Sequence, residues 1–202
     1  IFDFSNKVVG HIRGGLGHVN VFASIIFAGM SGAAIADAGG LGTIEINAMR
    51  KAGYNDSLTV GITAASSTIG PIIPPSLPVV IYAVVASASI GRLFAAGIIP
   101  GLIMGFSLMA LIYALAGKYK TPVEKRPSLK EAFLSFRTAF WALLTPAIIL
   151  GGIFFGVFTP TEAAGIASLY AIVLGFFIYR EMTLKEFYNA AVQSMISTVQ
   201  VM

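Results

Sequence analysis

Apolar residues run in long blocks along this chain, separated by short polar connectors. Residues 1–17 set Phe2, Phe4, Val8, Val9 and Ile12 among Lys7, His11 and Arg13, which predicts an interfacial segment. Residues 18–48 are apolar but carry Ser24, Ser31, Asp37 and Glu45, with a knot of small residues at Ser31-Gly32-Ala33-Ala34. Each arm beside that knot reaches roughly 20 Å as a helix, short of a hydrocarbon core of ~30 Å. The pattern therefore predicts a re-entrant helical hairpin with its tip near mid-membrane. Asn47–Asp56 is a polar connector, and 57–90 is a second apolar stretch. Leu93–Ala116 reads as a full span. Gly117–Thr138 is a charged connector with a short surface helix over Ser128–Arg137. Phe140–Val157 and Ala163–Tyr179 are two further spans. Between them, Thr159 or Thr161 caps a helix whose first turn holds Glu162. Residues 183–202 begin an amphipathic helix with Thr183 as cap and Glu186 three positions on.

The stretch 57–90 is broken in its middle by Ile69-Gly70-Pro71-Ile72-Ile73-Pro74-Pro75-Ser76. Prolines remove backbone donors and clash with preceding carbonyls. Hydrocarbon offers no replacement partners, so such a break survives at membrane depth only inside protein or beside a polar cavity. Broken helices with free carbonyls and half-helix ends are where secondary transporters hold ions and anionic substrates. The chain then divides into the segment 1–17, a transport part over 18–90 (hairpin 18–48, broken helix 57–90), and further spans with scaffold and arm segments over 91–202, including the connector 117–138.

Composition agrees. The chain is 56% hydrophobic and only 11% charged, where a soluble domain carries about 25% charged residues. The fold class is all-α integral membrane. There is no cysteine, which excludes thiol chemistry. The net charge of +4 does not indicate nucleic acid, because the basic residues sit in connectors between spans. If 18–48 enters and leaves on one side, every basic residue except Arg92 falls on one face, Lys120 and Lys125 included. That face is the cytoplasmic one. The chain opens at Ile1 and stops at Met202 within a helical pattern, and reads as an internal piece of a longer protein.

Candidate chemistry lies at the two interruptions. Na⁺ is a hard cation that takes oxygen ligands, by the reasoning that governs Ca²⁺ and Mg²⁺. Ser31, Gly32 and the tip carbonyls supply oxygens from the hairpin, and Asp37 is a costly carboxylate inside an apolar stretch. The alternative for Ser31–Ala34 is a packing face, and for Asp37 a cap. From the break, Ser67, Thr68 and the carbonyls around Gly70 complete the proposed ion set, with Ser66 nearby. The half-helix capped by Ser76 points its positive end at the break, which suits a carboxylate. Ala33, Pro74, Pro75 and Ser76 are accordingly the candidate substrate residues. His11 and His18 lack metal spacing, and Trp141 reads as an interfacial anchor. No hydrolase signature and no Walker loop is present. Three other readings stay open: a stand-alone divalent-anion/Na⁺ symporter, an intramembrane aspartyl protease using Asp37 and Asp56, and a structural scaffold subunit.

Several runs carry a resemblance: Ile26–Gly32, Ala36–Gly42, Thr63–Ser66, Ile69–Ser76, Ile148–Ile153 and Phe158–Ala164. Together they resemble the large membrane subunit of tripartite ATP-independent periplasmic (TRAP) transporters, the DctM-like family. The family's tip pattern is Ser-Gly-Ser-Ala, whereas Ala33 here lacks the second hydroxyl. The resemblance implies an ion-transporter-type fold of two inverted repeats, each with a re-entrant hairpin and a broken helix, of which this chain holds the first and the start of the second. It implies Na⁺ coupling, elevator-type movement, and location in the bacterial inner membrane. The implied partners are a periplasmic substrate-binding protein and a small membrane subunit, separate or fused. The implied cargo is an organic acid such as a C4-dicarboxylate or sialic acid.

Overall fold

A computed structural model describes residues 1–119, 121–122, 126–180 and 182–201. Lys120 and Lys125, counted above on the positive face, lie outside them. All regular structure among the described residues is helical. Among the described residues, three helices are long and apolar enough to cross a membrane: Ile90–Tyr119, Lys130–Phe154 and Pro160–Ile178.

The chain opens with α1 (Phe2–Val9). It packs on both α2 (Gly15–Ser31) and α8 (Leu129–Phe154). Ser135 donates to the Asp3 carboxylate at 2.6 Å, and the Phe4 ring sits 5.8 Å from that of Phe136. Gly14, at φ 104°, turns the chain into α2. That helix stops at Gly32, whose left-handed φ of 61° is cheap only for glycine. Ala33 is extended, and the chain re-enters helix at α3 (Ala34–Ala36). A π-turn over Asp37–Leu41 continues it into α4 (Gly42–Lys51).

The two arms run antiparallel, since Asn20 early in α2 reaches the Met49 sulfur late in α4, at 3.9 Å. The open end of this hairpin is fastened by Tyr54, which is 7% exposed. Its hydroxyl accepts the Leu16 N–H at 3.1 Å and donates to the Gly14 carbonyl at 3.0 Å. Asn55 then caps α5 (Asp56–Ser67), accepting the N–H groups of Ser57 and Leu58.

Beyond Ser67 the helix gives way to turns. Ile69 and Gly70 donate to the carbonyls of Ser66 and Ser67, and Ile72 and Ile73 both donate to that of Ile69. The Pro74-Pro75 bond is cis. Ser76 caps α6 (Leu77–Val85) by accepting the Val79 N–H at 3.3 Å. The break lies flat on α7 (Ile90–Tyr119) because α7 turns Gly97 and Gly101 towards it. A Cβ at Gly97 would overlap the Ile72 carbonyl, and one at Gly101 would overlap the Ile73 side chain. Small residues four apart permit this approach of backbone to helix.

The sequence pattern separates a surface helix at Ser128–Arg137 from a span at Phe140–Val157, but the structure joins them as α8. The reason is local: Thr138-Ala139-Phe140 offers no glycine or proline to end a helix. The Thr138 hydroxyl instead bonds back to the Leu134 carbonyl at 3.1 Å. Ser128 caps α8 in a reciprocal box with Glu131. Thr159, one of the two expected caps, forms the same box with Glu162 at α9 (Pro160–Val173), which runs on through a π-turn over Leu174–Ile178. Thr183 and Glu186 repeat it at α10 (Leu184–Val201). α9 returns along α8, with Tyr170 donating to the Trp141 carbonyl at 2.8 Å and Tyr179 to that of Thr138 at 3.0 Å.

Two glycine substitutions are expected to act in opposite directions. Gly32→Ala forces a Cβ into the Pro75 carbonyl at a left-handed φ and destabilises the protein by about 2 kcal/mol or more. Gly61→Ala meets nothing within 4 Å inside α5 and stabilises by up to ~1 kcal/mol through helix propensity. Thermal unfolding in detergent, read side by side, checks both. Tyr54→Phe strands the buried Leu16 N–H and is expected to cost about 1–3 kcal/mol in the same assay.

Candidate functional site

The hairpin tip and the break touch each other. The Gly32 carbonyl accepts the Leu77 N–H at 3.3 Å, which ties the tip to the first turn of α6. Pro75 lies so close to Gly32 that no side chain fits between them. On the other side of the contact, the Gly70 Cα faces Ala33, whose carbonyl carbon would be 3.4 Å from any added Cβ. Each interruption thus covers backbone groups that the other exposes.

Next to this contact is a cavity of about 1100 Å³. Its lining includes Ser31, Pro75, Ser76 and Leu77, with Thr145 and Ile149 of α8 and, further along the chain, Pro160 and Ala164. The Ser31 hydroxyl oxygen is buried and has no hydrogen-bond partner. A buried hydroxyl without a partner costs stability. Its place beside a tip carbonyl gives it the chemistry of a hard-cation ligand. Ser76 caps α6 at the cavity wall, and its own hydroxyl donates to the Pro71 carbonyl.

The expected site residues do not all converge. Ser31, Gly32, Ala33, Gly70, Pro75 and Ser76 lie at the contact or in the cavity wall. Pro74 is buried and faces Gly97 of α7 instead. The hydroxyls of Ser67 and Thr68 fold back on their own segment, donating to the carbonyls of Ala64 at 2.9 Å and Ala65 at 2.6 Å. Thr68 is exposed. Asp37 lies one turn beyond Ala33, but its neighbour is Ser24 of α2, two turns before Ser31. Asp56 is at the far end of α4 and α5, exposed and paired to Arg50 at 2.7 Å. Asp37 and Asp56 therefore do not form a catalytic pair.

Two buried polar groups were not among the expected site residues. Glu45 is as buried as Asp37, each 1% exposed. Neither carboxyl has a basic partner, and the one ion pair among the described residues is elsewhere. The second is Asn20, fully buried between the hairpin and α5. Its Nδ2 donates to the Thr63 hydroxyl at 2.7 Å, and its Oδ1 accepts from the Ser66 hydroxyl at 2.6 Å. The available signal was a polar stripe on α5, Thr59, Thr63 and Ser66 at helical spacing, facing a lone asparagine in the apolar run His18-Val19-Asn20-Val21.

A family model described as "Tripartite ATP-independent periplasmic transporter, DctM component" matches residues 1–202. Among curated proteins, the sialic acid TRAP transporter permease protein SiaT of Haemophilus influenzae is 50% identical over 98% of this chain and 32% of its own length. The sialic acid TRAP transporter large permease protein SiaM of Vibrio cholerae is 54% identical over 93% of this chain and 44% of its own. The C4-dicarboxylate TRAP transporter large permease protein DctM of Pseudomonas aeruginosa is 43% identical over all of this chain and 47% of its own. The chain spans about a third to a half of the length of these relatives. With the family model matched from end to end, this chain belongs to the DctM family of TRAP transporter large permeases.

Proposed function

We propose that this chain is the part of a TRAP large permease that binds Na⁺ and faces the transported organic acid. The observation that carries the reading is the meeting of tip and break, with the unpartnered Ser31 hydroxyl beside it. Ser31 Oγ and carbonyls of the tip and of the turn around Gly70 hold the cation. Ser67 and Thr68 contribute through their backbone, since their hydroxyls are committed to Ala64 and Ala65. Asp37 acts from behind the tip as a nearby negative charge.

The helical geometry supports a re-entrant hairpin. α2 has 17 residues, a length of about 25 Å, less than a ~30 Å hydrocarbon core. Its chain returns antiparallel through α4 to the side it came from. The cavity beside the tip supports a substrate site. The N-terminal end of α6 faces it at Ser76, so its positive end meets a carboxylate. Relatives named for sialic acid and C4-dicarboxylates support an organic acid as cargo. Membership of the family supports a periplasmic substrate-binding protein and a small membrane subunit as partners, an inner-membrane location, and elevator-type movement of residues 18–90 against the other helices.

The test uses the full permease with both partner proteins in proteoliposomes. A Na⁺ gradient drives uptake of labelled sialic acid or C4-dicarboxylate only when the binding protein is present. Uptake without it favours the stand-alone symporter. Ser31→Ala removes one cation ligand and is expected to raise the half-saturating Na⁺ concentration roughly tenfold, the size of losing a charge-assisted contact. Unchanged uptake with unchanged Na⁺ dependence removes Ser31 from the site.

A further inference from the structure

Asn20 lies eleven residues before Ser31 on α2, away from the cavity and from the contact between tip and break. It is nevertheless the one described side chain that hydrogen-bonds, in a single buried node, two α5 hydroxyls just ahead of the break. Its Nδ2 also touches the Met49 sulfur of α4. One amide thus joins both arms of the hairpin to the helix that leads into Gly70. We infer that Asn20 is a positioning residue, whose amide sets the register of α2 on α5 and thereby brings the tip carbonyls and Ser31 to the break. This inference rests on the cation reading above.

The physical reason is directionality. The hydrophobic core in this region includes Val19, Val21, Met49 and Ile62, all buried. Apolar packing of this kind is non-directional and tolerates small slips. The amide does not tolerate them. A slip of one residue along a helix moves it about 1.5 Å, enough to break hydrogen bonds of ordinary length. A single buried asparagine plays this part in coiled coils, where it selects one register among several of similar apolar burial. α2 continues without interruption from Asn20 to Ser31, so its register is carried rigidly to the tip. On the α5 side, Ser66 is only four residues from Gly70.

The node is built for register more than for bulk stability. The Thr63 hydroxyl has its own acceptor in the Thr59 carbonyl at 3.0 Å, and the Ser66 hydroxyl has one in the Thr63 carbonyl at 3.1 Å. Replacing Asn20 with an apolar residue of similar size therefore leaves neither hydroxyl stranded.

The experiment uses the full permease in detergent, titrated with Na⁺ while its melting temperature is followed, and then reconstituted with its partner proteins for uptake. Asn20→Leu is expected to raise the Na⁺ concentration for half-maximal stabilisation about tenfold, with the same shift in uptake and a Na⁺-free melting temperature near that of the wild type. Thr63→Val, which removes the acceptor of the Asn20 amide, is expected to give about a threefold shift. The two together shift no further than Asn20→Leu alone, since they break one node. A wild-type Na⁺ response with the same midpoint in Asn20→Leu overturns the inference. If Asn20→Leu does not fold, an unshifted Thr63→Val overturns it instead. A wild type with no Na⁺ response overturns the cation reading itself, and the role of Asn20 with it.

Discussion

The two interruptions in this chain support each other at the hydrogen bond from Leu77 to the Gly32 carbonyl. A helix that stops inside a protein leaves peptide groups without partners at its end. Here α2 stops at Gly32 and α6 starts after Ser76, so a carbonyl-rich end meets an N–H-rich end. The remaining architecture serves that meeting. Gly97 and Gly101 let α7 come close beneath the turns, and Tyr54 keeps the far end of the hairpin shut.

The close fit also explains why bulk is missing where polarity is concentrated. Gly32, Ala33 and Gly70 approach one another at backbone distance. Between the arms of the hairpin the protein buries Asp37 and Glu45 without a basic partner among the described residues. Burying such groups is expensive, and a protein that sought only stability would replace them with apolar residues.

What was legible in the sequence was the chemistry that acts over a few residues. The prolines of Pro71–Pro75 announce a break, Gly32 among small residues announces a tip, and Thr159 and Thr183 with glutamates three positions on announce helix starts. Each needs only its neighbours in sequence. What was not legible depends on partners far along the chain. The hydroxyls of Ser67 and Thr68 looked available, but hydroxyls near a helix end bond readily to the carbonyl three residues back. The part played by Asn20 appears only once α5 is folded onto α2. The junction at Thr138 failed for the opposite reason, since a change from charged to apolar composition does not end a helix when no residue there breaks it.

The three capping boxes at Ser128, Thr159 and Thr183 have a consequence for assembly. A helix that carries its own acceptor at its start needs no neighbour to complete its first turn, so α8, α9 and α10 each begin without help from another element. The stretch from α2 to α6 has no such independence at its core. The Gly32 carbonyl takes its partner, the Leu77 N–H, from far along the chain, so that pairing waits until α6 has been made.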